Sequence, residues 1–154
     1  MATTAGTGAA AEARIIFVVR HAERADALGA AQSDPDLSEL GRAHALALAK
    51  ELRDADIATI YASEFKRTQE TAAPLAASLG LKVEIVPAKD GANLVADLKK
   101  AKGNVLVVGH SNTVPEIIKN LGIAASLSVS ESDYDDLFLV VLATKPRLIH
   151  LHYR

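Results

Sequence analysis

The sequence IIFVVRHAER occupies residues 15–24 and joins an apolar run to a cluster of charged side chains. Its first part predicts a strand over residues 15–20, because a continuous apolar run of this length is typical of a strand buried on both faces. A histidine between arginines at the end of a buried strand is costly unless an anion lies beside it. We therefore expect His21 to face a phosphate group.

The composition fits a single soluble domain of ordinary size. The chain has 154 residues, 49% of them hydrophobic and 23% charged, and a net charge of -2. That charge argues against a broad basic surface for nucleic acid, and no apolar run approaches the ~20 residues that span a bilayer. Because cysteine is absent, disulfides, thiolate zinc sites and cysteine nucleophiles are excluded.

The start of the chain differs in composition from the rest. Residues 1–13 are mostly Ala, Thr and Gly, and we predict a flexible tail there, followed by one domain over residues 14–154. A cytoplasmic location is expected. The alternative is a secreted or periplasmic protein whose first residues are the remnant of a removed signal peptide.

Short apolar runs alternate with helical patterns, which predicts an α/β three-layer sandwich. We expect a mostly parallel sheet with helices on both faces and one antiparallel edge strand. The predicted strands are residues 15–20, 57–62, 81–86, 104–109, 136–143 and 147–152, the last two as an antiparallel hairpin. The predicted helices are residues 37–53 with Ser38 as N-cap, 64–79 with Ser63 as N-cap, 93–102 and 115–121.

Polar side chains follow three of the predicted strands. His21, His110 and Ser63 each come directly after one, and Ser63 leads into a helix that carries Arg67. The carboxyl ends of parallel strands form the ligand crevice of an open sheet. Arginine binds phosphate oxygens through its planar fork, and a helix N-terminus offers free N–H groups. The sequence therefore predicts a phosphate pocket at this edge of the sheet.

Four ordered segments resemble the histidine phosphatase superfamily, whose fold is phosphoglycerate-mutase-like. They are FVVRHAE (17–23), LSELGR (37–42), YASEFKRTQETA (61–72) and VVGHS (107–111). The chain is most similar to the short bacterial members that include phosphohistidine phosphatases. The resemblance implies that His21 is the nucleophile and that Arg20 and Arg67 clamp the phosphate oxygens. It also implies that His110 stabilises the transferring group.

The resemblance brings in three further residues. Arg24 matches an additional pocket arginine found in one branch of the superfamily. Ser63 is placed to form a hydrogen bond near the pocket, although helix capping explains it equally well. The family's acidic proton donor has no clear counterpart, and Asp90, in a short segment after the third predicted strand, is the nearest candidate. Asp90 also has a simpler interpretation as a turn residue, because Asp-Gly favours turns.

These features lead us to expect a metal-independent phosphatase, without a cofactor, that acts through a phosphohistidine intermediate. Its substrates are expected to be phosphomonoesters or phosphohistidine protein, and phosphate or sulfate should bind in the pocket. No nucleic acid or membrane partner is expected. The alternative is a non-catalytic phosphate-binding pseudophosphatase. His150 and His152 lie two apart on one face of a predicted strand, but because no carboxylate pattern points at them, we favour a structural role over metal binding.

Overall fold

In residues 13–25 and 34–153, which the computed structural model describes, six strands form one mixed sheet in the order β3-β2-β4-β1-β5-β6. The strands are β1 (Arg14–Arg20), β2 (Ile57–Ala62), β3 (Val83–Ile85), β4 (Asn104–Gly109), β5 (Asp136–Leu142) and β6 (Arg147–His152). The predicted tail at residues 1–13 lies outside the described residues except for Ala13.

The sheet is parallel on one side and antiparallel on the other. Strand β4 pairs in parallel with both β1 and β2, and β2 pairs in parallel with β3. Strand β5 is antiparallel to β1 and forms a hairpin with β6. This confirms the predicted fold class and the terminal hairpin. The strand that runs against the others is β5, and β6 forms the edge beyond it.

Four helices and one short 3₁₀ turn connect the strands in the described part of the chain. They are α1 (Glu39–Leu52), α2 (Lys66–Leu79), the 3₁₀ turn (Ala88–Asp90), α3 (Gly91–Lys100) and α4 (Thr113–Asn120). Ser38 caps α1 as predicted, since its side chain accepts a hydrogen bond from the Gly41 N–H. The prediction that Ser63 caps α2 is wrong. That helix begins at Lys66, its N-cap position is Phe65, and the Ser63 hydroxyl is bound to His110 and Thr68.

Each face of the sheet carries its own apolar core. Val18 and Phe138 pack with α3 and α4 on one face, while Phe17 and Val19 pack with α1 and α2 on the other. Alternate residues of β1 therefore enter different cores, which is why its sequence is apolar without interruption. Each fully buried aliphatic side chain contributes about 1.5–3 kcal/mol. This double burial fixes the strand that carries the candidate site.

No helix in the described part of the chain is both long and apolar enough to cross a membrane.

Candidate active site

The carboxyl ends of β1 and β4 lie side by side. Arg20 pairs with Gly109 in the sheet register, and the His21 N–H donates to the Gly109 carbonyl oxygen at 2.9 Å. The rings of His21 and His110 consequently meet edge to face, with centroids 5.4 Å apart. The two side chains are buried, with His21 4% and His110 8% exposed. The structure thus brings the two histidines together, as the crevice argument predicts.

His21 is held in one tautomer. Its Nδ1 lies 2.7 Å from the Ala22 carbonyl oxygen. A carbonyl only accepts, so Nδ1 carries the proton and Nε2 keeps its lone pair. Burial lowers the pKa of His21 to about 3, assisted by the charges of Arg20, His110 and Arg67 and opposed by the Ala22 hydrogen bond. At neutral pH the ring is uncharged, which a nitrogen nucleophile requires.

His110 is oriented by residues of the segment between β2 and α2 and of α2 itself. Its Nε2 forms a 2.9 Å hydrogen bond with Ser63 Oγ, which in turn bonds Thr68 Oγ1 at 2.9 Å. The ring of Phe65 packs against it edge to face. Burial lowers the pKa of His110 to about 4, and the charge of Arg67 adds to the effect. The structure therefore places the Ser63 hydroxyl in a hydrogen bond with His110.

Arg67 offers hydrogen-bond donors that nothing in the described residues accepts. Its Nε and Nη1 are buried and have no hydrogen-bond partner. Asp34 Oδ1 lies 4.0 Å from Nη1, and the guanidinium carbon lies 4.5 Å from the centroid of the Phe65 ring. Burial, and then repulsion from Arg24, lowers the pKa of Arg67 below its ordinary value. Buried donors of this kind are expected to bind an acceptor, and an oxyanion supplies several.

Arg20 is anchored by the loop that precedes β5. Its Nη1 donates to the carbonyl oxygens of Ser130, Glu131 and Asp133 at 3.2, 2.8 and 3.1 Å. Its Nη2 lies 3.1 Å from Glu131 Oε1, and Tyr134 packs against the guanidinium. Only Nε remains buried without a partner. The expected phosphate clamp is thus reduced at Arg20 to a single free donor, because the loop carbonyls engage Nη1 and the Glu131 carboxylate engages Nη2.

In the described residues, no hydrogen bond or ion pair joins Arg24 or Asp90 to either imidazole. Arg24 is exposed and pairs with Leu37 in an isolated bridge, but its charge still lowers the pKa of Arg67. Asp90 ends the 3₁₀ turn, and its side chain does not cap α3. The roles predicted for Arg24 and Asp90 therefore have no direct contact with the two histidines behind them.

Two carboxylates that the sequence analysis overlooked lie at the site. The Glu64 side chain accepts from the Ala88 N–H at 2.9 Å, and its charge raises the pKa of His110. The Glu131 side chain binds Arg20 and accepts from the Ser111 hydroxyl. Those hydrogen bonds lower the pKa of each carboxyl, so both are ionised at neutral pH. Glu64 lies next to Ser63 in the segment at residues 61–72, so the sequence could have identified it as a site residue. No sequence pattern identifies Glu131.

A cavity of about 400 Å³ opens beside His110 and Ser63. It lies between α3, α4 and the 3₁₀ turn, and its lining is largely apolar, including Val86, Leu94 and Ile117. Lys89, Asn112 and Glu116 supply polar groups around it. Cavities of this size and character are typical of sites for small organic molecules.

Part of the sequence matches a known protein family. Residues 16–90 match the family model described as histidine phosphatase superfamily, branch 1. The uncharacterized protein Rv0525 of Mycobacterium tuberculosis is 43% identical over 75 residues, which cover 47% of this chain and 37% of that protein. The chain thus spans well under half the length of the curated relative that it matches.

Two solved structures share the fold. One is the protein histidine phosphatase SixA complexed with tungstate, with a TM-score of 0.72, 21% identity and coverage of 90% of this chain and 96% of that one. The other is the mycobacterial glucosyl-3-phosphoglycerate phosphatase Rv2419c with inorganic phosphate, with a TM-score of 0.69, 18% identity and coverage of 88% and 95%. Residues 16–90 are thus similar to the histidine phosphatase superfamily, and the described chain shares the fold of these two phosphatases.

Proposed function

We propose that this chain is a phosphatase that transfers a phosphoryl group first to Nε2 of His21 and then to water. The observation that carries the proposal is that two features occur at one site. His21 is neutral and held in one tautomer, and the Arg67 guanidinium has buried donors without a partner. A neutral imidazole nitrogen is a competent nucleophile, and phosphoryl transfer needs mainly positioning and charge stabilisation.

In the first step, His21 Nε2 attacks phosphorus. The N–P bond forms while the bond from phosphorus to the leaving oxygen breaks, and that oxygen takes up a proton. The buried donors of Arg67 and the free Nε of Arg20 bind the non-bridging oxygens, where negative charge is greatest. His110 completes the pocket, held in place by Ser63. The guanidinium groups supply the charge neutralisation, so the scheme routes no step through a metal ion.

In the second step, water attacks phosphorus and the N–P bond breaks, which returns His21 to its neutral form and releases phosphate. The attacking water must lose a proton. Glu64 suits this role because it is ionised and near enough to His110 to affect its pKa. Asp90 is the second candidate, from its position after β3. Proton donation to the leaving oxygen is the more demanding task, since an ionised carboxylate must first take up a proton.

The proposed substrates are phosphomonoesters or phosphohistidine protein, and the cavity favours the former. It adjoins His110 and is large enough for the leaving group of a small ester. A protein-borne phosphohistidine would need no such cavity. Its leaving nitrogen would also depend less on a strong acid at the site.

One observation supports the alternative of a phosphate-binding module without turnover. Glu64 and Glu131, the carboxylates beside the two imidazoles, are both ionised, and Glu131 is paired with Arg20. These two ionised carboxylates leave room for an anion between the arginines, but neither of them carries a proton for a leaving group.

The deciding experiment measures turnover of an aryl phosphate, a panel of small phosphomonoesters and phosphohistidine peptides, with and without chelator. We expect turnover that the chelator does not change and an acid-labile phosphoprotein that can be trapped by rapid quenching. His21→Ala should lose both, while His44→Gln, a histidine change on α1, should keep them. Saturable phosphate binding with no turnover of any substrate would establish the binding module instead.

A further inference from the structure

A second group of ionisable side chains lies on the β5–β6 hairpin. It consists of Asp136, His150 and His152, which we call the hairpin cluster. His152 pairs directly with Asp136 across the two strands, and His150 pairs with Phe138. Residues two apart share one face of a strand, and directly paired residues share it across the sheet. The hairpin register therefore brings two imidazoles and one carboxylate to a single point.

The distances within the hairpin cluster fit a shared ion. Asp136 Oδ1 lies 2.8 Å from His150 Nε2 and 3.5 Å from His152 Nδ1. One ligand atom from each residue falls within 4.8 Å of the other two. A tetrahedral zinc ion with bonds of about 2.0–2.2 Å holds its ligand atoms roughly 3.3–3.5 Å apart. The distance between Asp136 Oδ1 and His152 Nδ1 already has this value, and the other ligand atoms lie within 4.8 Å of one another.

The hairpin cluster has a buried carboxylate at one end and an exposed imidazole at the other. Asp136 is only 9% exposed, and a buried carboxylate requires hydrogen bonds or a cation nearby. The ring of His150 stacks on Phe138 with centroids 4.3 Å apart, which fixes its plane. The His152 side chain is 61% exposed, so an ion has a route from solvent. Asp135 Oδ1, 3.5 Å from His152 Nδ1, adds a second carboxylate at the rim.

We propose that Asp136, His150 and His152 form a binding site for a divalent transition-metal ion of the zinc, cobalt or nickel type. Two imidazole nitrogens and a carboxylate oxygen suit these ions, whereas calcium and magnesium prefer all-oxygen sites. The proposal reverses our sequence-based preference for a structural role of His150 and His152. The carboxylate that the sequence did not reveal comes from the neighbouring strand.

The position of the proposed metal site indicates that a bound ion would stabilise the β5–β6 hairpin. Asp136 opens β5, directly after the loop whose carbonyls hold Arg20. An ion bound there ties that end of β5 to β6 and restrains the loop from one side. The expected consequence is a more stable fold, because an ion that binds only the folded chain raises its stability. The proposed phosphatase chemistry takes place elsewhere and does not require this ion.

The test uses the full chain, stripped of metal by chelator and titrated with Zn²⁺ and with Co²⁺. Calorimetry and metal analysis after gel filtration should give one equivalent per chain, and bound Co²⁺ should show visible absorption bands. His152→Ala should weaken binding about tenfold or more, since even the loss of an outer-shell partner costs 10–100-fold. His44→Ala is the matched control, because His44 pairs with a single carboxylate, that of Glu23, at 2.7 Å.

Three results would each overturn the proposal. The first is that the chain shows no saturable 1:1 metal binding, and the second is that the parent and His152→Ala bind the metal with equal affinity. The third is that His21→Ala loses the bound metal, which would assign the ion to the phosphate pocket. Asp136→Asn provides a second variant in which the side chain keeps its size. Circular dichroism confirms that each variant is folded before its affinity is compared.

Discussion

His21 and His110 meet edge to face, with ring centroids 5.4 Å apart, although they follow different strands. Each ring is buried, and each lies where arginine charge opposes its protonation. Neither ring can gain a proton without placing a further positive charge beside Arg20 and Arg67. The burial of the two rings and the nearby arginine charges therefore oppose their protonation at acidic pH.

We expect both imidazoles to stay neutral well below the pH at which histidine ordinarily titrates. The pKa of His21 is lowered to about 3 and that of His110 to about 4, so both rings are uncharged at pH 5. Nitrogen-detected NMR of the imidazoles checks this, and at pH 5 it should also show His21 protonated at Nδ1 alone. A midpoint near 6.5 for either ring would contradict the burial argument.

The same shifts predict an effect of pH on stability. Between pH 6.5 and about 4, the unfolded chain binds protons at these two positions and the folded chain does not. The free energy of unfolding should therefore fall as the pH drops through that range. Urea midpoints at pH 7.5 and pH 5 measure the loss, which should be smaller in His21→Asn.

Arg67→Met should weaken phosphate binding and stabilise the empty protein. A charge-assisted hydrogen bond contributes about 1.5–3 kcal/mol, so we expect the KM for an aryl phosphate to rise by at least tenfold. Stability should increase because Nε and Nη1 of Arg67 are buried without partners. Thermal melting with and without inorganic phosphate checks both effects. Arg53→Met, a change of an exposed arginine, is the control, and a lower melting temperature in Arg67→Met would refute the second expectation.

Glu64→Gln should lower kcat more than Asp90→Asn. Glu64 influences the pKa of His110, and no hydrogen bond or ion pair in the described residues links Asp90 to either imidazole. General acid–base catalysis contributes about 10²–10⁴-fold, so a hundredfold loss is expected for Glu64→Gln and only a small change for Asp90→Asn. Rapid-quench measurement of phosphoenzyme formation and breakdown shows which step slows. The opposite order of effects would assign the proton transfer to Asp90.

Gly41→Ala should destabilise the protein, and Gly91→Ala should not. A Cβ on Gly41 would overlap the backbone carbonyl of Glu23, two residues from His21, whereas a Cβ on Gly91 meets nothing within 4 Å. Overpacking against backbone costs typically 1–3 kcal/mol, while glycine-to-alanine changes at compatible positions gain about 0.4–1 kcal/mol. Chemical unfolding of the two variants gives the comparison. Equal stability would mean that α1 can move away from the loop without penalty.

Local patterns were enough to predict most of the fold. The apolar runs of β1 and β4 identify the buried centre of the sheet, and the histidines that follow them identify the edge at which the candidate site lies. The role of Ser63 was harder to predict, because its hydroxyl can either cap a helix or form a hydrogen bond with His110. The path of the chain after β2 decides between the two. The starting residue of α2 shows that the second role applies.

Contacts that depend on loop paths or strand register could not be predicted from one sequence. Glu131 reaches Arg20 through a loop that has no periodic pattern. Asp136 meets His152 because the turn after β5 sets the hairpin register, and a slip of one residue would turn the carboxylate to the other face. Both contacts join parts of the chain that have no local reason to be neighbours.

The place of β1 in the sheet has a consequence for the order in which this protein is assembled. Both of its neighbours, β4 and β5, come much later in the chain. During translation β1 is made before both of them, and it cannot pair until residues beyond 100 have left the ribosome. Pairings between distant segments form slowly. The imidazole of His21 is thus synthesised before the strands that surround it, and until those strands follow, the exposed apolar β1 is open to aggregation.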